Sequence, residues 1–91
     1  MAKSQVVNFD GREEKFRKAV ARYQETKVRD DYEEAERLRL RLRAGYITHR
    51  DEIAASLQDD RHLAQHDRTN LQAISDRCTT RIQELDQPIA R

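Results

Sequence analysis

Phe16, Val20 and Tyr23 recur at spacings of four and three, which places them on one face of a helix. Lys27 falls where the next apolar residue is due. Val28, Tyr32, Ala35, Leu38 and Leu42 then resume the stripe, displaced by about one residue. The slip coincides with Asp30 and Asp31. Asp31 followed by Glu34 has the spacing of a capping box, as does Asp10 followed by Glu13 at the start of the stripe. The pattern predicts a first helical arm from Asp10 to about Ala44. That arm is either one helix with a phase shift or two helices broken near 28–31. The absence of glycine and proline at the slip favours the continuous form.

Gly45 sits at the midpoint of the 91 residues; the only other glycine is Gly11, and the only proline is Pro88. A glycine there suits the left-handed position just past a helix C-terminus. Thr48, with Asp51 three residues on, is the next N-cap candidate. The second arm is expected from about His49 to Leu85 or Asp86, where Leu57, Ala64, Leu71, Cys78 and Leu85 form a heptad seam supported by Ile53, Ile74 and Ile82. Folding the chain at Gly45 brings Leu38 near Leu57, Tyr32 near Leu63 and Ala64, Tyr23 near Leu71, Val20 near Ile74, Phe16 near Cys78, and Phe9 near Leu85. The predicted fold is therefore all-α, a long antiparallel helical hairpin of coiled-coil type. Residues 1–9 form a leader in which Val6, Val7 and Phe9 are apolar. Residues 10–87 form a single hairpin domain with its turn at 44–48, and 88–91 form a tail.

Composition narrows what this hairpin can do. Charged residues make up 38% of the chain and hydrophobic residues 36%, tryptophan is absent, and mean hydropathy is -1.07. So thin a core makes support from a partner, or pairing of two hairpins into a four-helix bundle, physically reasonable. Eighteen basic against 17 acidic residues give a net charge of +1, so the whole-chain charge makes no case for nucleic acid or membrane. The single cysteine forms no internal disulfide framework, which fits a reducing compartment. No apolar run reaches the ~18 residues of a membrane span, and no apolar segment of secretory type opens the chain, so a cytoplasmic protein is expected.

Candidate chemistry is sparse. His62 and His66 lie four apart with Asp59 three residues before His62, so on one helix all three share a face suited to a metal. A solvated polar face is the simpler account of them, and no metal or other cofactor is expected. Cys78 fits a small core position on the heptad seam. There is no glycine-rich phosphate loop, and no spacing sets serine, histidine and carboxylate for nucleophilic attack, so enzymatic activity is not expected. The sharpest feature is the alternation Glu36-Arg37-Leu38-Arg39-Leu40-Arg41-Leu42-Arg43, followed by Arg50. On a helix these arginines flank the Leu38–Leu42 stripe. They would either complement a helix C-terminus and pair with nearby carboxylates such as Glu33, or grip a phosphate or an acidic partner. Leu40 faces away from Leu38 and Leu42 and is a candidate contact residue.

The run Asp31-Tyr32-Glu33-Glu34-Ala35-Glu36-Arg37-Leu38-Arg39, within residues 24–43, resembles the second helix of the UVR motif. That motif is a short helical hairpin of nucleotide excision repair proteins that mediates protein–protein contact. The chain departs from it at Glu36, where the motif usually has alanine, and at Leu40, where it has aspartate. The resemblance implies an adaptor role and a broken first arm, and carries over no binding residue. The leading expectation is thus a non-enzymatic interaction module, an adaptor, regulator or inhibitor. It would meet another protein or a second copy of itself through Arg37, Arg39, Leu40, Arg41, Arg43 and Arg50. The alternative is a helical-hairpin dimer that binds RNA or DNA through the same arginines.

Overall fold

The computed structural model describes residues 9–59 and 64–91, with Asp59 described at its backbone alone. The expected leader, apart from Phe9, and the expected contact at Leu63 lie outside the described residues. Those residues are all-α: α1 spans Asp10–Thr26, α2 Arg29–Asp59 and α3 Gln65–Glu84. The chain divides into two compact units, and the division falls within α2. One unit holds α1, α2 up to Leu42, and residues 87–91; the other holds α2 from Arg43 onward, α3 and Asp86.

In the first unit the phase slip is a real break. Lys27 adopts a left-handed conformation (φ 55, ψ 24), and its N–H donates to the Tyr23 carbonyl at 2.7 Å, closing α1. A non-glycine residue in this region costs about 1–2 kcal/mol. Part of that is offset by the Lys27 ammonium, which lies 5.1 Å from the Tyr23 ring centroid. The reversal sets the Tyr23 and Tyr32 rings edge to face at 5.0 Å and brings Arg22 within 3.4 Å of Asp31. The first arm is therefore two helices, against the continuous form that the lack of glycine and proline favours. Neither aspartate of the expected capping boxes is the N-cap of its helix. Phe9 is the N-cap of α1 and makes no side-chain cap bond, while the Glu13 N–H donates to its carbonyl at 2.8 Å. Asp10 and Asp31 instead lie in the first turns of α1 and α2, where a carboxylate favours the positive end of the helix dipole. Asp31 also accepts a 2.5 Å bond from the Thr26 hydroxyl. Phe9, Tyr23, Ala35 and Leu42 are buried in this unit.

The turn expected at 44–48 does not form. α2 runs through Gly45 without interruption, and neither glycine has a positive φ. Two physical reasons account for this. Glycine permits a left-handed turn but does not impose one, and its penalty inside a helix is only about 1 kcal/mol. Meanwhile the partly or fully buried positions Tyr32, Ala35, Arg39, Leu42, Tyr46, His49 and Ile53 keep spacings of three and four straight through residue 45. Leu38 and Leu57, expected to face each other across a hairpin, lie on the same helix.

The second unit holds the antiparallel pairing. Arg43 meets Asp86 at 3.2 Å at one end. Arg50 lies close enough to Cys78 to act on its thiol. At the other end Arg68 Nη1 donates to the Leu57 carbonyl at 3.2 Å. These contacts set α2, which ends at Asp59, antiparallel to α3, which begins at Gln65. Ala64 is the N-cap of α3, with an extended backbone (φ -66, ψ 153) and an exposed side chain, so the heptad seam is interrupted there. Ile53, Cys78, Ile82 and Leu85 form the buried positions of this unit.

Candidate interaction surface

The arginine run lies inside α2 rather than at a helix terminus, so its charges do not complement a C-terminal dipole. Each arginine has a different fate. Arg37 forks onto Glu34 with Nη2–O distances of 2.7 and 2.8 Å, one turn back rather than onto Glu33, which pairs with Arg29. Arg39 is buried at 7% exposure. Its Nε and Nη2 donate to the two oxygens of Glu36 at 2.8 and 2.7 Å. A buried guanidinium must be paired in this way, because desolvation without a partner would cost several kcal/mol. Arg43 is turned to Asp86 and Arg50 to Asp51, the latter at 3.7 Å. Arg41 alone of the six candidate positions is an exposed cation paired with no carboxylate among the described residues.

Leu40 is where the pattern places it. It is 54% exposed, against 1% for Leu42, because the buried stripe of α2 passes through residues 35, 39 and 42 and leaves position 40 on the outer side. Leu40 and Arg41 therefore form an apolar and cationic pair on the exposed face of α2, with the Arg37–Glu34 pair one turn away. Val28, at 49% exposure, is the other large exposed apolar residue among those described.

Of the candidate metal set, Asp59 and His66 lie on different helices. Asp59 is the last residue of α2 and His66 is the second of α3, so the helical spacing that would align them is broken. His62 lies outside the described residues. His66 is exposed and 3.5 Å from its neighbour Asp67. Among the described residues no group of three metal-ligating side chains comes together. Cys78 is buried at 3% exposure, and burial pushes its thiol pKa up, with Arg77 and Arg50 opposing the shift. No described helix is long and apolar enough to cross a membrane.

One constellation has no counterpart in the hydrophobic pattern. Glu36 accepts not only Arg39 but also the Ile89 N–H at 2.9 Å. The Tyr32 hydroxyl donates to the Ile89 carbonyl at 3.0 Å, and the Arg91 guanidinium lies 4.5 Å from the Tyr32 ring centroid. The Arg39 bonds hold the Glu36 carboxyl below its ordinary pKa, with the Ile89 N–H adding to the effect and burial opposing it. The available signal was Pro88 followed by an apolar residue, which ends α3 and leaves Ile89 something to bury. Tyr32 and Glu36 themselves read as one stripe residue and one of many acids.

No family model matches the chain, and no curated protein or solved structure shows significant similarity to it.

Proposed function

We propose that the chain is a non-enzymatic protein–protein interaction module, an adaptor, regulator or inhibitor that docks through the outer face of α2. The observation that carries this reading is Leu40. A leucine 54% exposed within a 31-residue helix, next to an Arg41 that pairs with no carboxylate among the described residues, leaves apolar surface in water. It would contribute about 1–2 kcal/mol if a partner covered it. Arginine is also enriched at the centres of protein interfaces. The partner that suits this pair presents an apolar pocket rimmed by carboxylates.

The arginine ion pairs weigh against the nucleic-acid alternative. Arg37, Arg39 and Arg43 are already matched to Glu34, Glu36 and Asp86, so each would have to leave a carboxylate to meet a phosphate. The test is capture with Leu40→Glu set beside the wild-type chain. Loss of a specific captured protein with unchanged helicity by circular dichroism supports docking through Leu40. Equal capture by both chains refutes it. Binding of an oligonucleotide that weakens steeply with salt and depends on Arg41 would instead favour the alternative.

A further inference from the structure

Residues 87–91 follow α3 and adopt neither helix nor strand. Pro88 cannot continue the helix. What holds this segment is specific and confined. Both main-chain groups of Ile89 are bonded, the N–H to Glu36 at 2.9 Å and the carbonyl to the Tyr32 hydroxyl at 3.0 Å. Two residues on, Arg91 lies against the face of Tyr32 at 4.5 Å. The Ile89 side chain is half-buried, while Gln87, Pro88 and Ala90 are exposed. Tyr32 and Glu36, which receive the segment, also border, with Tyr23, Lys27 and Arg91 itself, an open cleft of about 510 Å³.

Main-chain bonds that fix one residue, a part-buried aliphatic side chain and an aromatic platform for a cation are the means by which grooves bind peptides. The receiving groups are also held in place without the segment. Glu36 is clamped by two bonds from Arg39, and the Tyr32 ring packs edge to face on Tyr23. Preorganisation of this kind lowers the cost of binding a chain from elsewhere.

We propose that the Tyr32–Glu36 surface at the edge of this cleft is a peptide-docking site, covered here by the chain's own residues 89–91. Its partner is a non-helical segment of another protein with an aliphatic residue and, two residues on, an arginine. The site rests on the interaction-module reading but not on Leu40 or Arg41. The tethered segment acts as an internal competitor. A short tether gives an effective concentration on the order of 1 mM, so a partner gains access in proportion to how far it outcompetes that local copy.

The test uses the full chain carrying Ile89→Pro, which removes the N–H donor, together with Arg91→Ala, which removes the stacked cation. Both changes lie outside the helices, and circular dichroism checks that helicity is kept. The probe is a fluorescent peptide, Asp-Gln-Pro-Ile-Ala-Arg, blocked at both ends, followed by anisotropy. The doubly substituted chain is expected to bind it at least about tenfold more tightly than the wild-type chain. Adding Tyr32→Phe to that background should weaken binding by about two- to tenfold. Equal affinity for the wild-type and released chains, or no binding to the released chain, overturns the proposal. Neither result bears on capture through Leu40, so the two readings fail separately.

Discussion

Replacing Glu36 by glutamine tests the polar centre of the first unit. The substitution keeps size and one acceptor oxygen but removes the charge that matches the buried Arg39. Three bonds converge on Glu36: two from Arg39 at 2.8 and 2.7 Å, and one from the Ile89 N–H at 2.9 Å. Breaking a fully buried ion pair costs about 3–5 kcal/mol. The Glu36 side chain is 20% exposed and the amide oxygen can retain one donor, which brings the expected loss to about 1.5–3 kcal/mol. In a domain of this size each kcal/mol moves Tm by about 4–8 °C. The assay is urea unfolding of both chains followed by far-UV circular dichroism at several pH values. The folded pKa of Glu36 lies below its ordinary value of 4.5. Its stabilisation is therefore complete above that value and is lost as pH falls through the lowered folded value. Glutamine does not titrate, so the gap between the chains should be full near pH ~7 and narrow below pH ~4. A gap under about 0.5 kcal/mol near neutrality, or one that stays constant into acid, would refute the reasoning.

Other substitutions separate buried from exposed positions. Leu42→Ala should cost about 2–5 kcal/mol in urea unfolding and Leu40→Ala less than about 0.5; similar losses would contradict the assigned face of α2. Gly45→Ala should raise stability by about 0.5–1 kcal/mol, since alanine is the better residue within a helix, whereas a loss would indicate a left-handed turn. The Cys78 thiol, buried and with its pKa pushed up, should react slowly with a disulfide reagent in the folded chain and rapidly in urea; equal rates would show that it is not buried.

Much of the helical content was legible because the three-and-four spacing is a direct consequence of helix geometry. The phase slip at Lys27 located the break between α1 and α2 to within a few residues. The weight given to the missing glycine and proline misled, since a lysine can take the left-handed position when a tyrosine ring receives its ammonium. Gly45 misled in the opposite sense. The buried stripe continues across it through Leu42, Tyr46, His49 and Ile53, but Arg39 and His49 are polar and do not register as stripe members in the sequence; Arg39 can be buried because it pairs with Glu36. The buried ion pair therefore hid both the continuity of α2 and the cleft beside it. Leu40 was legible because an apolar residue out of phase with its stripe has no place inside.

Every site assignment above depends on where the chain reverses. The direct measurement is the distance between nitroxide labels at Thr48→Cys and Thr80→Cys in a Cys78→Ala background, by pulsed electron double resonance. Both positions are exposed, and they lie on the stretch of α2 and α3 joined at Arg43–Asp86 and Leu57–Arg68. Helices packed side by side are about 8–10 Å apart at their axes, so the labels should be separated by no more than about 25 Å. If the chain instead turned at Gly45, residues 48 and 80 would share one helix and lie about 48 Å apart. The longer distance would contradict the fold and, with it, the assignment of Leu40 to the outer face of a continuous α2.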